Sequence, residues 1–209
     1  MSFLINPYRF SGGGGGAASY TLVGSAAGGN TTTLPTVASG DLIITGSFND
    51  GGVALASVTG YTIVLDANRS VNRAAMFFKI SDGTETTFDP GEAGIERTAV
   101  VVLRPSGGTP ALGASTSHSA NDASPSFATI TLDDTSGPSW VIGMACFANG
   151  GTGITVAGMT VTDNSQINGN DATLVAHTNG GVTSFAAETI SSVNGSGNWV
   201  AITAEFKLT

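Results

Sequence analysis

Charge is what this 209-residue chain has least of: Asp, Glu, Lys and Arg together supply 11% of it, against about 25% in an ordinary soluble domain. Its polar surface must therefore be built from Ser, Thr, Asn and Gly. Such a surface hydrates well but repels other copies weakly, which suits a protein packed against neighbours. Basic residues are scarcest, seven against fifteen acidic ones, for a net charge of -8. Phosphate-backbone binding needs clustered Lys and Arg, so nucleic acid is not an expected partner. A single cysteine, Cys146, rules out an intrachain disulfide. It sits in the apolar run Val141-Ile142-Gly143-Met144-Ala145-Cys146-Phe147 with no base nearby, and reads as an inert buried thiol. No apolar run approaches the ~18 residues of a membrane helix. The opening Met1 to Phe10 has no basic charge ahead of its three consecutive large apolar residues, and so lacks the pattern of a secretory signal. Neither a membrane nor export is expected.

Glycine, by contrast, is abundant and unevenly placed. Five in succession, Gly12 to Gly16, set the first ten residues apart from the rest, and such a run has too much backbone entropy to join a regular element unaided. The leading segment carries Phe3, Leu4, Ile5, Tyr8 and Phe10, which it cannot bury within itself. Leaving each in water forgoes roughly 1.5–3 kcal/mol. These five residues are the expected partner-binding set, on an arm and linker spanning residues 1–16. Docking on another subunit is favoured over folding back on the arm's own domain, because the glycines give it reach.

From Ser19 onward, short β-branched and aromatic runs are broken about every ten residues by Gly, Asn, Asp and Pro, the signature of an antiparallel sandwich or barrel. Strands are expected over Tyr20–Ser25, Leu42–Phe48, Thr62–Ala67, Ala74–Ile80, Thr98–Leu103, Ala128–Leu132, Val141–Phe147, Thr160–Asp163, Thr173–His177, Ser184–Ile190 and Val200–Phe206. Some of them, such as Val100-Val101-Val102-Leu103, are apolar on both faces and belong in the middle of a packed structure. The pattern also repeats. Phe48-Asn49-Asp50-Gly51-Gly52 returns as Phe147-Ala148-Asn149-Gly150-Gly151, and Gly60-Tyr61-Thr62 as Gly158-Met159-Thr160. Ser81-Asp82-Gly83 with Thr87-Phe88 is matched by Thr178-Asn179-Gly180 with Ser184-Phe185, and Thr98 to Arg104 is answered by Trp199 to Lys207. The Asp-Gly and Asn-Gly pairs suggest type I′ hairpin turns. The expected fold is all-β: an antiparallel jelly-roll-like β-sandwich over residues 17–209, built from two similar halves, 17–105 and 112–209, with an extended arm before it. One intertwined sandwich is favoured over two in tandem.

The order Gly40-Asp41-Leu42-Ile43-Ile44, Gly60-Tyr61-Thr62, Phe77-Phe78-Lys79-Ile80 and Val100-Val101-Val102-Leu103-Arg104, followed by Gly158-Met159-Thr160 and Trp199-Val200-Ala201-Ile202, resembles the β-sandwich structural proteins of tailed-phage virions. The likeness spans roughly residues 19–208, with Tyr61 where relatives usually carry Trp. Met1 to Phe10 is similar to the short leader that precedes unrelated globular parts in other phage structural proteins. The resemblance implies a non-enzymatic virion protein, of the capsid decoration or cement kind, with capsid or tail subunits and other copies of itself as partners. The alternative is a tail fibre or receptor-binding module that recognises a surface glycan.

The chemistry-bearing residues add little. Ser117 or Ser119 with His118 and Asp122 could be drawn as a triad, but without a nucleophile elbow the stretch reads as a solvated loop. Asp133 with Asp134, and Glu92 with Glu96, lie among turn formers and suggest solvated carboxylates. Asp163, Asn164, Asn168, Asn170 and Asp171 gather oxygen ligands of the kind calcium prefers, at a spacing that fits no EF-hand. The glycine run has neither the strand nor the helix of a dinucleotide site. Trp140 and Trp199, candidates for sugar stacking, each open an apolar strand and read as core. No catalytic, metal or cofactor-binding residue is assigned, and no cofactor is expected.

Overall fold

β-branched runs too short for helices, closed by turn formers, leave the strand as the economical way to pair backbone groups. In the computed structural model, which describes residues 18–49, 51, 54, 57–92, 94–136, 139–151, 153–166, 171–191 and 197–209, no described residue is helical. The first half forms β1 (Tyr20–Gly28), β2 (Thr32–Thr33), β3 (Leu42–Asn49), β4 (Thr62–Arg69), β5 (Asn72–Ile80), β6 (Thr87–Phe88) and β7 (Arg97–Pro105). The second forms β8 (Pro110–Asp122), β9 (Ser126–Phe127), β10 (Trp140–Phe147), β11 (Thr155–Val156), β12 (Thr160–Gln166), β13 (Ala172–His177), β14 (Glu188–Ser191) and β15 (Gly197–Leu208).

The protein is an antiparallel β-sandwich of two similar halves. One five-stranded sheet runs β1-β7-β3-β5-β4 and the other β12-β13-β10-β15-β8. Each half supplies a whole sheet and no strand crosses over; the sheets meet with β1 over β12, β3 over β10, β5 over β15 and β4 over β8. Matching strands in chain order (β1 with β8, β3 with β10, β4 with β12, β5 with β13, β7 with β15) gives the same order in both sheets, so each half is placed on the other by a twofold-like rotation.

Irregularities repeat as well as strands. Bulges interrupt β1 between Leu22 and Gly24 and β8 between Leu112 and Ser115, at corresponding places. A second pair falls between Ile63 and Leu65 in β4 and between Val161 and Asp163 in β12. The Gly60-Tyr61 and Gly158-Met159 motifs close the same turn: Tyr61 N donates to Val58 O (3.0 Å) and Met159 N to Val156 O (3.4 Å). Both glycines hold positive φ, 81° and 70°, which a side chain would strain.

One correspondence is out of register. Phe48 faces the core between the sheets, whereas Phe147 faces outward. The strand-by-strand equivalent of Phe48 is Cys146, and a slip of one residue turns every side chain to the other face. The Asp82-Gly83 pair does not make a two-residue hairpin either; its loop is closed by Glu85, whose carboxylate accepts from Asp82 N (3.2 Å) and from Ser81 Oγ (2.6 Å). The tight hairpin lies instead between β4 and β5, at Ser70 (φ 55°) and Val71.

The core has three layers. Leu42, Ile44, Phe48, Met76, Val101 and Leu103 meet Trp140, Ile142, Met144, Val175, Ile202 and Phe206 between the sheets. On the outer face of the first sheet Ile43, Phe77, Val100 and Val102 lie beneath Leu34, Val58 and Phe88. On the outer face of the second, Val141, Ala145, Phe147 and Leu174 lie beneath Phe127, Ile130 and Phe185. Each half thus folds its own long connections over its own sheet. That explains the doubly apolar Val100–Leu103: both faces of β7 are buried. The segments Ala128–Leu132 and Ser184–Ile190, expected as strands, contribute an isolated Ile130–Phe185 bridge and the short β14. The stretch taken for a loop around His118 is the thirteen-residue β8.

Candidate functional site

The partner-binding set Phe3, Leu4, Ile5, Tyr8 and Phe10 lies outside the described residues, as do Asn168 and Asn170. The remaining nominated side chains have definite places.

Strand alternation takes the Ser-His-Asp grouping apart. Ser117 and Ser119 pair with Ile202 and Val200 of the inner core, while His118 pairs with Ala201 of the outer core, so serines and histidine point to opposite faces. His118 Nδ1 instead meets Ser126 Oγ at 3.2 Å, and its ring stands edge-on to Trp199 at 4.8 Å. Asp122 accepts from Trp199 Nε1 (3.0 Å) and from Ser124 N (2.9 Å). A triad needs the carboxylate on the histidine's second nitrogen, to fix its tautomer and stabilise the imidazolium. Here the carboxylate instead ties the indole to the β8–β9 turn.

Asp163 is likewise occupied. It lies on β12, and its carboxylate accepts from Arg97 Nη2 (3.4 Å), Ser165 Oγ (2.6 Å) and Thr173 Oγ1 (3.2 Å). Because Arg97 belongs to the other sheet, the grouping works as a clasp between the halves. No cluster of three or more His, Cys, Asp or Glu side chains suited to a metal occurs among the described residues. Cys146 is fully buried between the sheets, with Asn72 Nδ2 3.7 Å from its sulfur. Trp140 and Trp199 are buried, and no aromatic among the described residues is exposed. Neither tryptophan therefore offers a face for a sugar ring.

A polar feature that sequence reasoning missed is Glu205. Its fully buried carboxylate accepts from Ala114 N (3.0 Å), Asp133 N (2.8 Å), Asp134 N (3.1 Å) and Ser139 Oγ (2.6 Å). Burial alone would raise its pKa, but these four donors outweigh burial and hold it below the usual carboxylate range. It pins the β8 bulge and the Asp133-Asp134 loop to β15. One acidic residue in an apolar strand is the only trace of this in the sequence. His177, fully buried and stacked on Trp140 at 5.0 Å, turns Nδ1 toward Thr178 O (3.1 Å) and leaves Nε2 without a partner; burial lowers its pKa.

Two open clefts lie at corresponding places on the halves, of about 270 Å³ between Thr33–Val37 and Gly83–Thr86, and of about 400 Å³ between Thr129–Leu132 and Thr183–Ala186. Neither holds a histidine, and the one buried carboxylate beside them, Glu85 in the first cleft, is already engaged by Lys79 and Ser81 Oγ. Each sheet also ends in two edge strands: β1 and β4 in the first, β12 and β8 in the second.

No protein family, characterised protein or solved structure matches the chain.

Five of the seven basic side chains are held in ion pairs within the fold: Arg73 with Asp66, Lys79 with Glu85, Arg97 with Asp163, Arg104 with Asp41, and Lys207 with Asp133.

Proposed function

We propose that this chain is a non-enzymatic structural protein of a tailed-phage virion, a decoration or cement subunit joined to its neighbours through Phe3, Leu4, Ile5, Tyr8 and Phe10. The observation that carries the reading is the use of charge. A chain with 11% charged residues spends most of its cations on internal ion pairs. Apart from the surplus carboxylates that make the chain net acidic, the exterior is left to uncharged hydroxyl and amide groups. Two sheets packed on both faces suit a load-bearing part, and the apolar leading segment supplies an adhesive. Many modest contacts repeated over a shell then add to its stability by mass action.

Quantitative mass spectrometry of purified particles tests this. A copy number comparable to that of the shell subunit is the expected result; absence from particles overturns the reading. A few copies confined to the tail would replace decoration by a fibre. Deleting residues 1–10 should abolish incorporation while leaving the unfolding transition intact.

A further inference from the structure

Edge strands present unpaired backbone groups, and natural sheets blunt them with charges, prolines or bulges. Three of the four edges here are blunted. β4 has its bulge together with Asp66 and Arg69, β12 has its bulge and Asp163, and β1 is bulged in the middle of nine residues. β8 is different. Beyond its early bulge, Ser115 to Asp122 run in unbroken register with β15 for eight residues. The one carboxylate in that stretch, Asp122, stands at its far end and is tied to Trp199 Nε1; the rest holds no Lys, Arg, Glu or Pro, and among the described residues no strand pairs with its other side. Half-buried apolar side chains flank it: Leu112, with Leu65 and Ala67 of the overlying β4, toward the inner core, and Ala114 and Ala120 toward the outer one.

We infer that the open edge of β8 is the acceptor for residues 1–10 of a neighbouring copy, which add there as one further strand. The inference rests on the reading that the leading segment docks outside its own sandwich. Extended, ten residues cover about 33 Å, enough to line the ~26 Å of Ser115–Asp122. Alternation places Phe3 and Ile5 on one face of such a strand and Leu4, Tyr8 and Phe10 on the other, where the apolar flanks of β8 wait on both sides. Pro7 lacks an N–H and is tolerated on an outermost strand. Arg9, the only charged side chain of the segment, meets a sandwich that is otherwise net acidic.

The tether argues for a neighbour's edge. Ser106 N donates to Ser19 O (2.8 Å) and Ala18 lies against Gly107, three residues before β8 begins. A turn of about 2–5 residues would close so short a gap within one chain. Residues 11–17 instead give a glycine-rich tether with a reach of about 14 Å, whose ordering entropy serves little purpose unless it spans to another molecule.

The test uses the full chain in purified form. Light scattering across a concentration series should show association of the parent, and Ser117→Lys, an exposed edge position, should weaken it about tenfold or more. The doubly substituted Leu4→Asp/Ile5→Asp chain should do the same, and both variants should unfold at the parent's denaturant midpoint. Mixing them should restore a one-to-one pair, because one variant keeps its segment and the other its edge. Parental association by Ser117→Lys, a parent that is monomeric throughout, or a mixture that fails to pair would each overturn the inference. Particle copy number is read separately, so pairing without incorporation sinks only the virion reading, and incorporation without pairing sinks only the acceptor edge.

Discussion

The two halves share strand order, bulge positions and the Gly-turn before β4 and β12, yet they anchor themselves with different polar groups. In the first, Arg104 at the end of β7 grips Asp41 through Nε (2.8 Å) and Nη2 (2.7 Å), and Asp41 also accepts from Ala38 N (2.7 Å). In the second, the equivalents of Asp41 and Val102 are Ser139 and Glu205, and Glu205 takes over as the buried acceptor. Backbone pairing and bulge geometry evidently define the sheet, while the anchor that ties loop to sheet can be rebuilt from other chemistry.

The sharpest way to break the comparison is to give the second half the first half's residue. Glu205→Val should destabilise the fold by about 3–5 kcal/mol in urea titration, since three half-buried backbone donors and the buried Ser139 hydroxyl lose their acceptor at about 1–3 kcal/mol each, with partial rescue by water. The pH dependence has a definite sign. The folded pKa of Glu205 lies below its ordinary 4.5, so its contribution is complete above that pH and is lost as pH falls beneath it. Glu85 behaves alike in the first half: burial opposes ionisation, but Lys79, Ser81 and backbone N–H groups prevail and bring it to about 2. The carboxylate share of the parent's acid unfolding should appear below pH 4.5, and the Glu205→Val variant should show a shallower limb there.

A smaller effect is expected where the halves touch. Gly46 in β3 and its equivalent Met144 in β10 face each other across the twofold-like axis, one leaving the room that the other fills. A Cβ at position 46 would lie 2.6 Å from Met144 Sδ and 2.8 Å from Phe48 Cζ. Gly46→Ala should therefore cost about 1–3 kcal/mol. In a Met144→Ala background the penalty should shrink by about 0.5 kcal/mol or more, read from a double-mutant cycle. Additive penalties would mean that the two positions do not share this space.

Much of this architecture was legible, because β-branched alternation and paired turn motifs report backbone state directly. The eleven expected strands include every strand of the two five-stranded sheets except β8, while the two-residue β2, β6, β9 and β11 of the small outer sheets are not among them. That strand escaped notice because Ala-Ser-Thr-Ser-His-Ser-Ala is neither apolar nor β-branched enough to register; its strand state comes from pairing with β15. The false Phe48–Phe147 match arose because composition carries no register. Partners of Glu205, Arg97 and Asp163 come from distant parts of the chain, and no local spacing announces them. The proximity of Ser117 or Ser119 to His118 and Asp122 carried no information for the opposite reason, since neighbours on a strand face apart.

A further contrast lies at Phe78 and its equivalent His177. Phe78 packs edge-on to Phe206 at 5.8 Å, whereas His177 brings a buried nitrogen without a partner. His177→Phe should change stability little at pH 8 and raise it relative to the parent at pH 5.5. The folded pKa of His177 is lowered by burial, so the unfolded chain takes up its proton first, below the ordinary 6.5, and the parent loses stability there as pH falls. Parallel pH profiles for parent and variant between pH 8 and 5.5 would show that His177 does not titrate in this way.

The smallest difference concerns the ion pairs at the ends of β7 and β15. Arg104 and Lys207 are equivalent, but Asp41 is 2% exposed and held by two parallel bonds, whereas the Asp133 side chain is 52% exposed and meets Lys207 Nζ once, at 3.2 Å. Exposed pairs of that kind contribute about 0.2–1 kcal/mol, because solvent and salt screen them and two long side chains must be ordered to form them. Asp133→Asn should therefore shift the urea midpoint barely, and less in high salt than in low. Asp41→Asn should shift it clearly at both, since a carboxylate that binds a guanidinium twice and a backbone N–H once is shielded from added ions. Equal salt sensitivity in the two variants would mean that burial does not separate these anchors, and that the halves differ less in energy than in appearance.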